Sequence, residues 1–332
     1  MREGISDGYN ESVWEIDTQM DESNYHSCDE VSNSQLNHLK KSPLHLKAYL
    51  ASDPTPTPAM VLGSQVHTCV LEHERFLTDY VVGPGGDRRL KKTKQAWAEL
   101  EEEGWRPESI IAPAVYEQIL SIRSSVLSNP IACKLLLPDE GAVTEASMFW
   151  SDEKTGVRCR GRIDAIPAKD SEYGAVLADL KTTRDCGAFA KSAYDFGYYR
   201  QAAFYLSGYA RGELSPWEIE RTAFVIVAVE STPPFGLSIF QFSDEALDLG
   251  NSEIDELLAI YKHCQDTNEW PGYEQGIQEL SLPNWAFYRC STSSAPSSWP
   301  STSVTRPRQS MPRQLDCLRW TESVGTQEAA RA

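Results

Sequence analysis

The hydrophobic pattern changes period along the chain. Ser32-Asn33-Ser34 is a helix-capping run followed by helical spacing to about Leu50, in which Pro43 must kink or divide the helix because it lacks a backbone donor. A Pro-Thr loop at 54–58 precedes helical spacing that resumes near Leu62, and further helical stretches lie around 92–103 and 112–128. The period then shortens to two. Residues 143–150, 157–164 and 175–181 read as three successive strands joined by turns at 152–156 and 168–174. Two helical runs follow at 187–196 and 198–210, then apolar strands at 222–229 and 236–242, then an amphipathic helix over 244–265. Helices, a three-stranded meander, a helix pair and two more strands predict an α/β domain with a mixed central β-sheet flanked by helices.

Composition sets the boundaries of that domain. The 332 residues, 41% apolar and 24% charged, are ordinary for a globular protein. No run of eighteen apolar residues occurs and the first thirty residues are acidic, so neither a membrane span nor a secretory signal is expected. Eight cysteines stand singly without a CxxC pair, the pattern of reduced thiols in a cytoplasmic protein. The formal charge of −17 excludes a protein that coats nucleic acid through bulk charge, so any DNA contact must be local. Residues 1–32 hold nine carboxylates against Arg2 and read as a flexible or loosely docked acidic arm. Positions 291–312 hold 15 Ser, Thr or Pro among 22 residues, so 291–332 reads as a disordered tail. The folded domain is expected over 33–290.

Candidate chemistry centres on Asp179-Leu180-Lys181. In a strand, positions two apart share a face, so the Asp179 carboxylate and Lys181 ammonium project together. Asp164 ends the preceding strand, and its meeting with Asp179 requires a skewed pairing or a bend. Two carboxylates beside a lysine suit Mg²⁺ or Mn²⁺ and hydrolysis of a phosphodiester, whereas an isolated pattern of this kind is usually a surface salt bridge. Gln201 and Tyr205 lie four apart on one helix face, and His67 follows Gly63 by four residues. Glu145 is either a carboxylate near the metal or part of a solvated strand face. Arg88, Arg89, Lys91, Lys92 and Lys94 place five cations in seven residues, as a DNA-phosphate contact or a solvated helix start. Arg158, Arg160 and Arg162 share a strand face and either line a DNA path or pair with acidic neighbours.

The ordered series Gly63-Ser64-Gln65-Val66-His67, Gly161-Arg162-Ile163-Asp164, Asp179-Leu180-Lys181-Thr182-Thr183 and Gln201-Ala202-Ala203-Phe204-Tyr205 resembles the RecB-like branch of the PD-(D/E)XK nucleases. The surrounding residues, including Lys40-Lys41-Ser42-Pro43 and the run from Tyr198 to Tyr205, are most similar to the phage and prophage exonuclease VIII family. The likeness spans about residues 25 to 290. Ile163 stands where that superfamily usually has proline, and the four-cysteine cluster of its iron–sulfur members is missing. The resemblance implies the PD-(D/E)XK nuclease fold. It also implies a metal site of His67, Asp164, Asp179 and the Leu180 backbone carbonyl, with Lys181 as catalytic lysine and with Gln201 and Tyr205 placing the DNA strand and the lysine's surroundings. It makes the basic run 88–94 a DNA-facing segment.

The activity so implied is a Mg²⁺-dependent DNA exonuclease, with Mn²⁺ as a substitute, that attacks double-stranded DNA ends from the 5′ side and leaves 3′ single strands for recombination. A single-strand annealing protein is the implied partner and a ring-shaped homo-oligomer the implied assembly. Two rivals share the residues: a structure-specific or restriction-type endonuclease, and a non-catalytic DNA-binding member of the fold. A nucleotide-driven motor is disfavoured because the chain contains no GxxxxGK[ST] loop.

Overall fold

Capping chemistry fixes the first helices. In the computed structural model, which describes residues 14–52, 55–86, 89–138, 141–168, 172–173, 176–212 and 222–283, Ser32 and Gln35 form a reciprocal capping box at the start of a helix over Asn33–Leu39. The next helix, Pro43–Leu50, starts with proline at its first position and Ser42 as its cap, so Pro43 divides the predicted helix. In chain order the helices are α1 (Glu22–Ser27), α2 (Asn33–Leu39), α3 (Pro43–Leu50), α4 (Pro58–Leu71), α5 (His73–Asp79), α6 (Lys91–Glu102), α7 (Pro113–Leu127), α8 (Pro130–Leu136), α9 (Phe189–Asp195), α10 (Tyr198–Tyr209) and α11 (Asp244–Thr267). The strands are β1 (Trp14–Asp17), β2 (Val81–Val82), β3 (Ile110–Ile111), β4 (Val143–Ser151), β5 (Arg158–Ile166), β6 (Val176–Thr183), β7 (Ala223–Glu230) and β8 (Leu237–Gln241). The short α8 and the two-residue parallel pair β2–β3 were not anticipated; neither is long enough to display a period.

Six strands form the main sheet in the order β1-β4-β5-β6-β7-β8. The meander β4-β5-β6 is antiparallel, β6 and β7 run parallel, and β1 and β8 pair antiparallel at the edges. A parallel pair needs a crossover, which α9 and α10 belong to. The sheet is therefore mixed and flanked by helices, as its periodicity predicted.

The continuous apolar run of β7 reflects burial on both faces. Ile226 and Ala228 join one core with Leu36, Leu46, Met148, Phe204 and Leu258. Val225, Val227 and Val229 join the other with Val66, Ile119, Leu135 and Leu180. The first core is thus roofed by α2, α3, α10 and α11, the second by α4, α7 and α8.

The expected acidic arm differs from the structure over 14–32. Residues 14–17 pair with β4 from Trp14↔Trp150 to Asp17↔Ser147, and Val31 bridges Cys159. The reason lies in β5. Arg158 pairs with Glu30 at 3.0 Å, buried Arg160 donates to the backbone oxygens of Tyr25 and Cys28, and Arg162 donates to that of Met20. Arg160 and Arg162 also stack on the Tyr25 ring, 5.0 and 5.7 Å from its centroid. These arginines hold the acidic segment, chiefly through its backbone oxygens and Glu30. Residues 1–13 and the expected tail at 291–332 lie outside the described residues. Residues 14–274 fall within one compact unit, and 275–283, in a second, carry no helix or strand.

Candidate active site

The site forms where β5 parts from its neighbours. β4 and β5 pair at Thr144↔Ala165 and at Ala146↔Ile163, but Glu145 and Asp164 between them drop out of the ladder. Glu145 has φ of 54°, left-handed backbone that a non-glycine residue seldom adopts. The chain turns over at this point: Ile163 packs in the first core and Ala165 in the second, although strand alternation would give them one face. On the other side, β5 meets β6 in register at Ala165↔Ala178. Continuing that register sets Asp164 across from Asp179, so the meeting follows from hairpin register together with the bend.

Beyond that pair, the β6 backbone facing β5 is used by side chains. The Leu180 N–H donates to Asp164 Oδ2 at 2.7 Å, and its carbonyl accepts from the His67 imidazole, which α4 lays over the sheet. His67 Nδ1 lies 3.4 Å from Asp164 Oδ2. Donor atoms of His67, Glu145 and Asp164 all fall within 4.8 Å of one another, a spacing one cation with bonds of about 2.0–2.6 Å can bridge.

Beside this triad, Asp179 and Lys181 form an ion pair, and Gln201 Nε2 donates to Asp179 Oδ1 at 2.8 Å. Asp179 is 1% exposed, and its Oδ2 accepts from the Lys181 ammonium. The lysine ammonium sits over the Tyr198 ring, 5.2 Å from its centroid. Tyr205 packs its ring against Gly161, where an added Cβ would lie 2.8 Å from Cε1. Its hydroxyl accepts from the Arg162 backbone at 3.4 Å.

Burial dominates the electrostatics. It pushes the Asp179 carboxyl up to about 6 against the pull of Lys181, which leaves the pair ionic at neutral pH. Burial also raises Asp164, opposed by Lys181 and by the Leu180 N–H, and raises Glu145, reinforced by Asp164. His67 is lowered, by burial first and Lys181 second, so its imidazole is neutral and able to ligate. Burial would lower Lys181, but Asp179 and Asp164 outweigh it and the ammonium is held charged. Crowded buried carboxylates beside a neutral imidazole fit a hard divalent cation, whose charge offsets their repulsion.

The structure therefore brings together His67, Asp164, Asp179, Leu180, Lys181, Gln201 and Tyr205. Glu145, left open between two roles in the sequence, belongs to the triad and is not a solvated strand face; it also pairs with Arg162 Nε at 2.6 Å. Tyr198 has no assigned role in the sequence; its signal there is membership of the run from Tyr198 to Tyr205, three residues before Gln201. Of the basic run, Arg88 lies outside the described residues, and Arg89, Lys91, Lys92 and Lys94 are exposed at the start of α6. That helix packs through Trp97 on Gly83 beside Ile110, next to β2 and β3.

A six-stranded mixed sheet whose central strands carry paired carboxylates, a lysine and a helix-borne histidine defines a PD-(D/E)XK-type nuclease fold. Residues 32–281 match the family described as PDDEXK-like domain of unknown function (DUF3799), and the chain belongs to that family. The fold is shared with the crystal structure of a "Putative exonuclease" from Eubacterium rectale, at 14% identity and a TM-score of 0.51 over 81% of this chain and 98% of that one. A search among curated proteins returns no match. No helix among the described residues is long and apolar enough to cross a membrane.

Proposed function

We propose that the protein is a divalent-metal-dependent exonuclease of linear duplex DNA. The observation that carries this reading is the juxtaposition of the His67–Glu145–Asp164 triad with the Asp179–Lys181 pair. His67, Glu145 and Asp164 would hold Mg²⁺ or Mn²⁺, with Asp179 and the Leu180 carbonyl alongside. When bound, such an ion polarises a phosphoryl oxygen and lowers the pKa of a water molecule. The Lys181 ammonium, held charged by Asp179, would orient an attacking water and stabilise negative charge developing on the phosphate. Gln201 fixes Asp179, and Tyr205 fixes the β5 backbone at Arg162, so both act by positioning. The exposed cations at the start of α6 are read as a contact for backbone phosphates.

Attack from the 5′ end, 3′ single-stranded products, a ring-shaped homo-oligomer and an annealing partner follow from the resemblance to exonuclease VIII. The test is incubation of duplexes labelled at either end, and of a covalently closed circle, with Mg²⁺, Mn²⁺ or EDTA. Linear DNA should be degraded from its 5′ ends and the circle spared, with no cleavage in EDTA. Lys181→Ala should lower the rate about 10²–10³-fold. Cutting of the circle would establish the endonuclease reading instead, and binding without any cleavage the non-catalytic one.

A further inference from the structure

Two large aromatic side chains lie in solvent where α9 gives way to α10: Tyr194, in the last turn of α9, is 65% and Phe196, just past it, 60% exposed. Tyr194 stacks on Tyr199 at 6.0 Å, away from the lysine, whereas Phe196 connects to the site. The Phe196 ring lies 5.7 Å from that of Tyr198, and Tyr198 is the ring under the Lys181 ammonium. Phe189 stacks on Tyr198 from within the fold, at 5.9 Å and 25°, and is itself stacked on Phe240 at 5.0 Å. The result is a continuous aromatic path from the core, across the lysine, to the surface.

The path is also rigid. Gly197, which links α9 to α10, has φ of +70°, and an added Cβ would lie 2.8 Å from the Arg200 guanidinium. Arg200 is 1% exposed and is bound by Glu253 at 2.8 Å, so the turn that presents Phe196 is anchored to α11. Arg184, an exposed cation just past the end of β6, lies in the chain between Lys181 and Phe189. An exposed ring adjoining a lysine is an arrangement that receives a nucleobase on its π-face while the neighbouring phosphate is held by charge.

We infer that Phe196, backed by the Tyr198 ring, forms a stacking platform for an unpaired base of the substrate strand, which binds that strand beside Lys181. This rests on the nuclease reading and adds to it that the strand enters the site as an unstacked single strand.

The experiment measures steady-state cleavage of oligonucleotides by wild type, Phe196→Ala, Phe196→Leu and Phe196→Trp, each first checked by thermal melting. The substrates carry either a full set of bases or abasic residues at successive positions near the scissile bond. Loss of the ring in the Ala and Leu variants should raise KM about tenfold with kcat retained. The Trp variant should keep the wild-type KM, and an abasic residue at one position should erase the difference between wild type and Phe196→Ala. Unchanged KM in Phe196→Ala, or a fall in kcat alone, overturns the platform while leaving the nuclease assignment intact. Wild-type protein that cleaves nothing overturns the nuclease assignment, and the platform with it.

Discussion

Glu145 occupies strained backbone at the centre of the site, and residues with positive φ outside glycine typically cost about 1–3 kcal/mol. The strain has an evident use, because it lifts the carboxylate out of the β4–β5 ladder toward Asp164 and His67. Glu145→Gln removes one ligand charge and should weaken Mn²⁺ binding by at least about tenfold, read by isothermal titration calorimetry. Undiminished affinity would place the cation away from the triad. Gly161 shows the opposite constraint, absence of a side chain. Gly161→Ala would press a methyl group on the Tyr205 ring and should destabilise the fold by about 1–3 kcal/mol in urea unfolding. Of these residues, His67, Asp164, Asp179 and Lys181 were legible from motif order. The role of Glu145 was not, because only the backbone reversal at that position decides which way its carboxylate points.

At the scale of elements, the position of α10 matters most, since it delivers Gln201 to Asp179, Tyr205 to Gly161 and Tyr198 to Lys181. Its anchor is a polar cluster between α2, α10 and α11. Glu253 accepts from Lys40 at 2.8 Å, from Tyr199 at 2.7 Å and from Arg200 at 2.8 Å, and Arg200 Nε also donates to Asn33. Burial would raise the Glu253 carboxyl, but the hydrogen bonds from Lys40, Tyr199 and Arg200 outweigh it and hold it below its ordinary value of 4.5. A depressed carboxyl contributes stability that is fully present above the unfolded value and is lost as pH falls through the folded one. Glu253→Gln leaves Arg200 buried without its counter-charge and should cost about 3 kcal/mol at pH 7. Urea midpoints of variant and wild type should converge below about pH 4.5; a pH-independent difference would mean that packing, not charge, holds α10. The two helices were each visible as helical runs, at 198–210 and 244–265, but their pairing and the cluster joining them link residues far apart in sequence and had no local signal.

Across the whole molecule, the acidic segment over 14–32 completes the sheet edge and covers the arginine row of β5. Truncation before Ser32 would expose Trp150 and leave Arg160 without its backbone partners, and should lower the melting temperature by roughly 5–10 °C in calorimetry. An unchanged melting point would show that the segment adds nothing to the fold. Its composition, poor in apolar residues and rich in carboxylates, pointed to a loose arm; Tyr25 and Val31 are nonetheless buried because β5 supplies the cations and the open edge it needs. The order of the longer helices and strands from residue 33 to 267, the division at Pro43 and the identity of the carboxylate–lysine residues were determined by the sequence alone, since capping, proline geometry and side-chain period act over a few residues. The tertiary structure alone decided the reversal at Glu145 and Asp164, the parting of β5 from β6, the docking of residues 14–32 and the seat of Lys181 on Tyr198. Each of these depends on contacts between distant parts of the chain, such as Arg160 with Tyr25 across 135 positions, and no local period encodes such a contact.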